Sequence, residues 1–310
     1  MNALQIAEII IYYLYPVVAL IGLLFNSLTF ILFSRKRFKN TIFWIYFRFL
    51  LIFDSLSMFL PVNKFLEQVF DIYIRIISSF LCKFRYFYIY SVYPVSGWTL
   101  AIVSIDRFLS ISYPNRFVIR KKVSFQIVAC ISIMSFNFIY YSPNLFFKFI
   151  EIEEFDNETN QTDVYYRCRN PGIPLDLMDL IGSTLIPFLI MILFTSFTLV
   201  SLFKMRKNSL QMNKTRSKDK RFAIVTITVN FVFLAFNIPY GIYQNFKEHF
   251  EPSDLKSLFA SICSLMLYFN SSSQFILNIL VNSIFRNEFM NIVCIKRQKN
   301  DQSNIKLTFT

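Results

Sequence analysis

Apolar stretches of about 20 residues or more, the length an α-helix needs to span the hydrocarbon core of a bilayer, occur seven times in this chain. They lie near Ile9–Phe33, Ile42–Val62, Phe80–Ile105, Val123–Phe147, Leu177–Phe203, Phe222–Phe246 and Leu258–Val281. Backbone polar groups in lipid must be satisfied internally, so only helices and closed barrels qualify. The spans mix Ile, Leu, Phe and Val without the alternation of a barrel strand. The predicted fold is therefore all-α: a seven-transmembrane helix bundle over residues 9–281. Residues 1–8 form a short extracellular N-terminus, and residues 282–310 a short amphipathic eighth helix with a tail.

Composition excludes the soluble alternatives. Charged residues make up 16% of the chain, against roughly 25% in soluble domains. The 39 Phe and 17 Tyr exceed what a soluble protein of 310 residues can hide, and so apolar a chain is not disordered.

Lys and Arg set the orientation. The segments after the first, third and fifth spans, and the C-terminal tail, are basic, as in Arg35-Lys36-Arg37, Arg120-Lys121-Lys122 and Lys204 to Arg221. The alternate loops hold most of the acids, notably Glu151, Glu153, Glu154, Asp156, Glu158 and Asp163. The basic side is cytoplasmic, the N-terminus outside, and the expected location a multi-pass position in the plasma membrane. About 25 apolar residues are too many for a signal-peptide h-region, and the cations follow the stretch instead of preceding it. The net charge of +13 is thus a sum of two faces, +18 inside and −5 outside. Topology accounts for the basic loops without nucleic acid. The inner face suits anionic membrane lipids and a signalling partner, and the outer face would attract a cationic ligand.

Several polar residues lie inside the spans, where they are costly and mark candidate sites. Asp54 is at mid-depth, with Asn26, Ser96, Asn270 and Ser271 at comparable levels. Two readings stand side by side: hard oxygen ligands for a small cation, or hydrogen bonds between helices. Asp106 and Arg107 close the inner end of the third span. Asp219 lies 20 residues before Pro239 in the sixth, so an Arg107–Asp219 tie between the two helices is expected. Cys82 and Cys168 fall on the oxidising side, where disulfides persist. Cys130 and Cys263 lie in spans as buried apolar residues. Cys294 follows Ile284–Val293, which places Phe285, Phe289 and Ile292 on one face; it is either a palmitoylated anchor or a plain thiol. Asn157 and Asn160 begin glycosylation sequons in an outer loop.

Together these residues resemble a rhodopsin-like G-protein-coupled receptor between about Gly22 and Cys294. Asp106-Arg107-Phe108, followed by Pro114, is similar to the DRY motif and its loop proline. Asp54, Pro187, and Phe233 with Phe236 and Pro239 resemble the marks of the second, fifth and sixth helices. The resemblance implies a Cys82–Cys168 disulfide, and the cluster around Asp54 stays either an intramembrane polar cluster or a sodium site. The resemblance also implies coupling to a heterotrimeric G protein through Asp106, Arg107 and Asp219. Ile89 replaces the aspartate of amine receptors, while Phe149–Arg169 resembles the hairpin of peptide receptors. The implied ligand is a (neuro)peptide or small molecule. Tyr86, Tyr90, Tyr240, Tyr243 and Gln244 either line an aromatic cavity for it, where a cation could meet a π-face, or the tyrosines are packing and lipid-facing aromatics. Three departures stand out: Asn237 replaces the switch tryptophan, Gln274 to Asn278 replaces NPxxY, and the fourth span lacks tryptophan. They keep open a chemosensory or decoy protein that does not couple. An ion-coupled transporter using Asp54 is disfavoured because internal repeats and broken helices are not found. No hydrolase, metal or nucleotide motif is evident, so neither an enzyme nor a cofactor is expected.

Overall fold

The computed structural model describes residues 2–39, 44–113, 116–156, 161–170, 172, 174–207, 214–246 and 253–293. Side chains at 37, 39, 118, 121, 153–165, 176 and 205–222 are outside that description. Among the described residues, six helical segments are long and apolar enough to cross a membrane. They are α1 (Ala3–Phe33), α2 (Trp44–Val69), α3 (Ser79–Ser112), α4 (Val123–Phe146), α5 (Leu177–Lys204) and the Ala223–Phe246 part of α6 (Lys214–Phe246). The seventh span is two helices, α7 (Ser253–Ser272) and α8 (Gln274–Val281), with Ser273 between them. Its serines and asparagines lower its hydropathy, and both Ser273 N–H and Oγ bond to Asn270 O. This break is one that sequence reading did not find. A further helix covers residues 283–293.

Polarity runs inside out compared with a soluble protein. Leu20, Phe80, Ile139 and Phe231 are each at least 70% exposed, while Asn26, Thr29, Asp54, Thr99 and Ser104 are buried. Lipid is as apolar as leucine, so association falls to packing and interhelical hydrogen bonds. Small and polar residues therefore line the interior. Helix α3 is the axis: it packs against α2, α4, α5 and α6, and its apolar window is 61% buried against 22% for α4 and α5. Ser78 starts it by accepting the Leu81 N–H at 3.2 Å, satisfying one of the unpaired amides of a helix N-terminus.

Two wide turns accompany prolines that would otherwise clash with the preceding turn. A π-helical turn at Ile10–Leu14 precedes Pro16, and another at Leu180–Leu185 precedes Pro187. Proline removes an amide donor and the wider turn redistributes the carbonyls; one of them, Gly182 O, accepts from Trp98 Nε1 at 2.8 Å. The first helix begins at Ala3, earlier than the expected Ile9, so most of the short N-terminus is helical.

Outside the bundle, β1 (Lys148–Asp156) and β2 (Gln161–Arg169) pair antiparallel, with Phe149 opposite Cys168. Cys168 is bonded to Cys82 near the start of α3, with Cα atoms 5.8 Å apart. At the other end, Phe285 packs on Phe33, Phe38 and Phe275, which seats the 283–293 helix under α1 and α8.

Candidate functional site

The disulfide holds the base of the hairpin over one mouth of the bundle, at the start of α3. Beneath it lies a vestibule of about 880 Å³, bordered by Phe147, Ile150, Arg167, Arg169, Tyr86 and Tyr90. Tyr86 and Tyr90 are shared with a deeper cavity of about 370 Å³ between α2, α3, α5, α6 and α7. Tyr86, Tyr90, Tyr240, Tyr243 and Gln244, from two helices far apart in sequence, all border this one space. Their positions are set by neighbours. Tyr86 stacks on Phe147 with centroids 4.1 Å apart, and Tyr90 on Tyr141 at 6.2 Å. Gln244 Nε2 donates to Tyr240 Oη at 2.6 Å, one helical turn apart. The deeper Tyr93 hydroxyl is buried with no hydrogen-bond partner among the described residues.

Sequence reading missed the charged wall of the cavity. Glu67, 6% exposed, faces three cations: Arg85 Nη2 at 2.7 Å, Lys64 Nζ at 3.4 Å and Arg75 Nη1 at 3.9 Å. Two signals were present, the Lys64–Glu67 spacing of one helical turn and Arg85 on the turn after Cys82. Asp179 borders the cavity from α5 and accepts from Tyr141 Oη at 3.4 Å.

Midway down the bundle, Ser96 Oγ donates to Asp54 Oδ1 at 2.7 Å, and Asn26 Nδ2 donates to Ser271 O at 3.1 Å. Asp54 Oδ2 and Asn26 Oδ1 are buried without hydrogen-bond partners among the described residues. Asn270 and Ser271 are buried beside the break in the seventh span. Buried oxygens with unused lone pairs, one of them on a carboxylate, fit a small hard cation. Asn237, where the resemblance expects tryptophan, turns back along its helix to donate to Phe233 O at 2.6 Å. Asn278 does the same to Gln274 O at 2.8 Å.

At the inner end Arg107 is 1% exposed and Asp106 5%. Arg120, from the loop after α3, reaches Asp106 Oδ1 at 3.4 Å and also bonds Ser110 Oγ. Gln126 Nε2 fixes that loop by donating to Arg120 O at 3.2 Å. Asp219 belongs to α6 but its side chain is outside the described residues, as are Asn157, Asn160 and Cys294 altogether. A second link that sequence reading missed joins the helices higher up. Asn230 Nδ2 donates to Ser104 Oγ at 2.6 Å and Thr195 Oγ1 at 2.9 Å, tying α6 to α3 and α5.

A membrane-spanning helical bundle with an outer cavity under a disulfide-held hairpin, and a buried charged cluster at its other end, has the build of a transmembrane receptor. The sequence model of the 7 transmembrane receptor (rhodopsin family) matches residues 25–273, and the chain belongs to that family. Among similar curated proteins, Galanin receptor 2b of Danio rerio is 26% identical over 72% of this chain and 59% of its own length. Chemerin-like receptor 1 of Sus scrofa is 24% identical over 91% of this chain and 79% of its own. Type-1 angiotensin II receptor of Bos taurus is 29% identical over 54% of this chain and 45% of its own. The protein is a multi-pass membrane receptor of the rhodopsin family, and its relatives are receptors, not enzymes.

Proposed function

We propose that this receptor sits in the plasma membrane with its N-terminus outside, binds an extracellular peptide, and activates a heterotrimeric G protein. The observation that carries this reading is the two-level cavity, in which Tyr86, Tyr90, Tyr240, Tyr243 and Gln244 meet beneath the hairpin. An aromatic wall with a few polar groups is the usual make-up of a ligand site, and the names of the similar receptors agree with a peptide. The acidic outer segments would draw a peptide with a basic body. A ligand wedged between α3 and α6 acts on the state of the bundle only by its differential affinity for the two states. In this reading it shifts α6 relative to α3, loosens an Arg107–Asp219 tie, and opens a basic inner cleft to the G protein and to anionic lipid. Asp54, Asn26, Ser96, Asn270 and Ser271 would hold a sodium ion that favours the resting packing. Glycans at Asn157 and Asn160 and a palmitoyl group at Cys294 complete the proposal.

The test is a peptide-library screen in cells with a promiscuous G-protein readout. An activating peptide should signal through the wild type and lose its signal, but not its binding, in Arg107→Ala. Asp219→Ala should raise basal signalling. Full signalling by Arg107→Ala would refute the role given to that arginine. The intrahelical side-chain bonds of Asn237 and Asn278 favour one other reading, a ligand-binding protein without coupling. Binding without any G-protein activation would select it.

A further inference from the structure

The cavity's own charge differs from that of the outer face as a whole. Glu67 is a buried carboxylate with three cations around it, of which Arg85 is the closest at 2.7 Å. Arg85 is 11% exposed, and with its amide oxygen turned toward the guanidinium, Asn63 accepts from Arg85 Nη2 at 2.9 Å and Nε at 3.2 Å. One carboxylate and one amide thus hold a cluster whose formal charge is +2. That cluster forms a wall of the cavity, since Lys64, Arg75 and Arg85 all border it, and Asp179 on α5 borders it too, so one positive charge is left in excess around the space. Lys64 and Arg75 are half and a third exposed and keep water, whereas at the largely buried Arg85 an excess positive charge is costly unless an opposite charge joins it. Across the same space stand Tyr90 and Tyr93, apolar surfaces fit for a neighbouring side chain.

We infer that this cavity takes the free C-terminal carboxylate of a peptide, bound at Arg85 with Arg75 and Lys64, while Glu67 serves as a built-in counter-anion that the ligand joins or displaces. The inference rests on the peptide-receptor reading above. It sharpens the expectation of a cationic ligand. Charge on the outer loops acts on approach and is screened within a Debye length of about 8 Å at physiological salt. Groups in direct contact decide what is seated. A peptide with a basic body and a free acid end satisfies both. The volume of about 370 Å³ suits a chain end, with the rest of the peptide lying in the vestibule of about 880 Å³. The vestibule shares Tyr86 and Tyr90 with the cavity, which gives the chain a continuous path.

The experiment uses the full chain in lipid nanodiscs and a library of eight-residue peptides lacking Asp and Glu. The library is made twice, as free acids and as C-terminal amides, and retained peptides are quantified by mass spectrometry. A charge-assisted hydrogen bond lost with the acid corresponds to about ten- to a hundredfold in affinity. Free acids should therefore be retained by the wild type at least about tenfold over their amides. Arg85→Gln should erase that preference, and Glu67→Gln, which removes the competing anion and keeps a polar side chain, should enlarge it. Equal retention of acids and amides overturns the inference and leaves the peptide reading standing, as does an acid preference that survives Arg85→Gln. If Arg85→Gln retains nothing, Glu67→Gln decides, because no gain for the acids there overturns the inference. Retention of neither form by the wild type overturns the peptide reading and this inference with it.

Discussion

Ser96 Oγ donates a 2.7 Å hydrogen bond to Asp54 Oδ1, joining α3 to α2 and leaving Asp54 Oδ2 buried without a hydrogen-bond partner among the described residues. A buried carboxylate oxygen without a hydrogen-bond partner among the described residues supports the small-cation site proposed above. Binding to the folded state alone stabilises it by about 2.7 kcal/mol when the cation is a hundredfold above its dissociation constant. The purified receptor should melt at a higher temperature in sodium chloride than in choline chloride of equal ionic strength. Asp54→Asn should lose that difference. Identical melting of the wild type in both salts would refute the site.

The Cys82–Cys168 bond closes a sequence separation of 86 residues. Removing a native disulfide costs about 2–5 kcal/mol. Cys82→Ser and Cys168→Ser should each lower the melting temperature and the fraction of receptor at the cell surface. The double variant should be no worse than either single one, because both remove the same bond. Additive losses would mean that each cysteine contributes mainly through packing.

How far the sequence was legible follows from what each feature depends on. Spans depend on local composition, and α1 to α6 lie where the apolar runs put them, while β1 and β2 fall in the Phe149–Arg169 segment that resembles the hairpin of peptide receptors. Asp54 stood out because a carboxylate in an apolar run has no local explanation. Glu67 did not, since it sits near the end of α2 where charge is unremarkable; its meaning depends on Arg75 and Arg85, brought in from beyond the next turn. Asn230 escaped notice for the same reason: its partners Ser104 and Thr195 lie 126 and 35 residues away. The break at Ser273 rests on local bonds from its N–H and Oγ to Asn270 O, in a stretch with neither Gly nor Pro to announce it.

Asn230 links α6 to both α3 and α5, the helices it must move against in the proposed activation. Interhelical hydrogen bonds in membranes contribute about 0.6 kcal/mol each on average and up to about 1.7. Asn230→Ala removes two and should cost about 1–3 kcal/mol in thermal stability. In a cell-based assay its basal G-protein signal should rise, since the resting packing loses contacts that an outward α6 does not need. A stability loss with unchanged basal signalling would assign Asn230 to folding alone.

Gly182 lies in the wide turn of α5, and a Cβ there would sit 2.6 Å from Tyr140 Cε1 and 3.1 Å from Cζ. The ring has little freedom to yield. It packs against Phe136 and Tyr141, with centroids 5.7 and 5.0 Å away, and its hydroxyl donates to Met178 O at 3.2 Å. Overpacking of this kind costs about 1–3 kcal/mol, so Gly182→Ala should lower the melting temperature. At Gly97 the nearest atom to an added Cβ is Phe233 Cζ at 3.2 Å, a milder approach. Gly97→Ala should therefore cost less than Gly182→Ala. Tyr140→Leu, which removes the ring, should recover part of the loss when combined with Gly182→Ala. If that double variant recovers nothing, the clash with Tyr140 is not the cause, and Tyr141 Oη, 3.2 Å from the added Cβ, becomes the next contact to test.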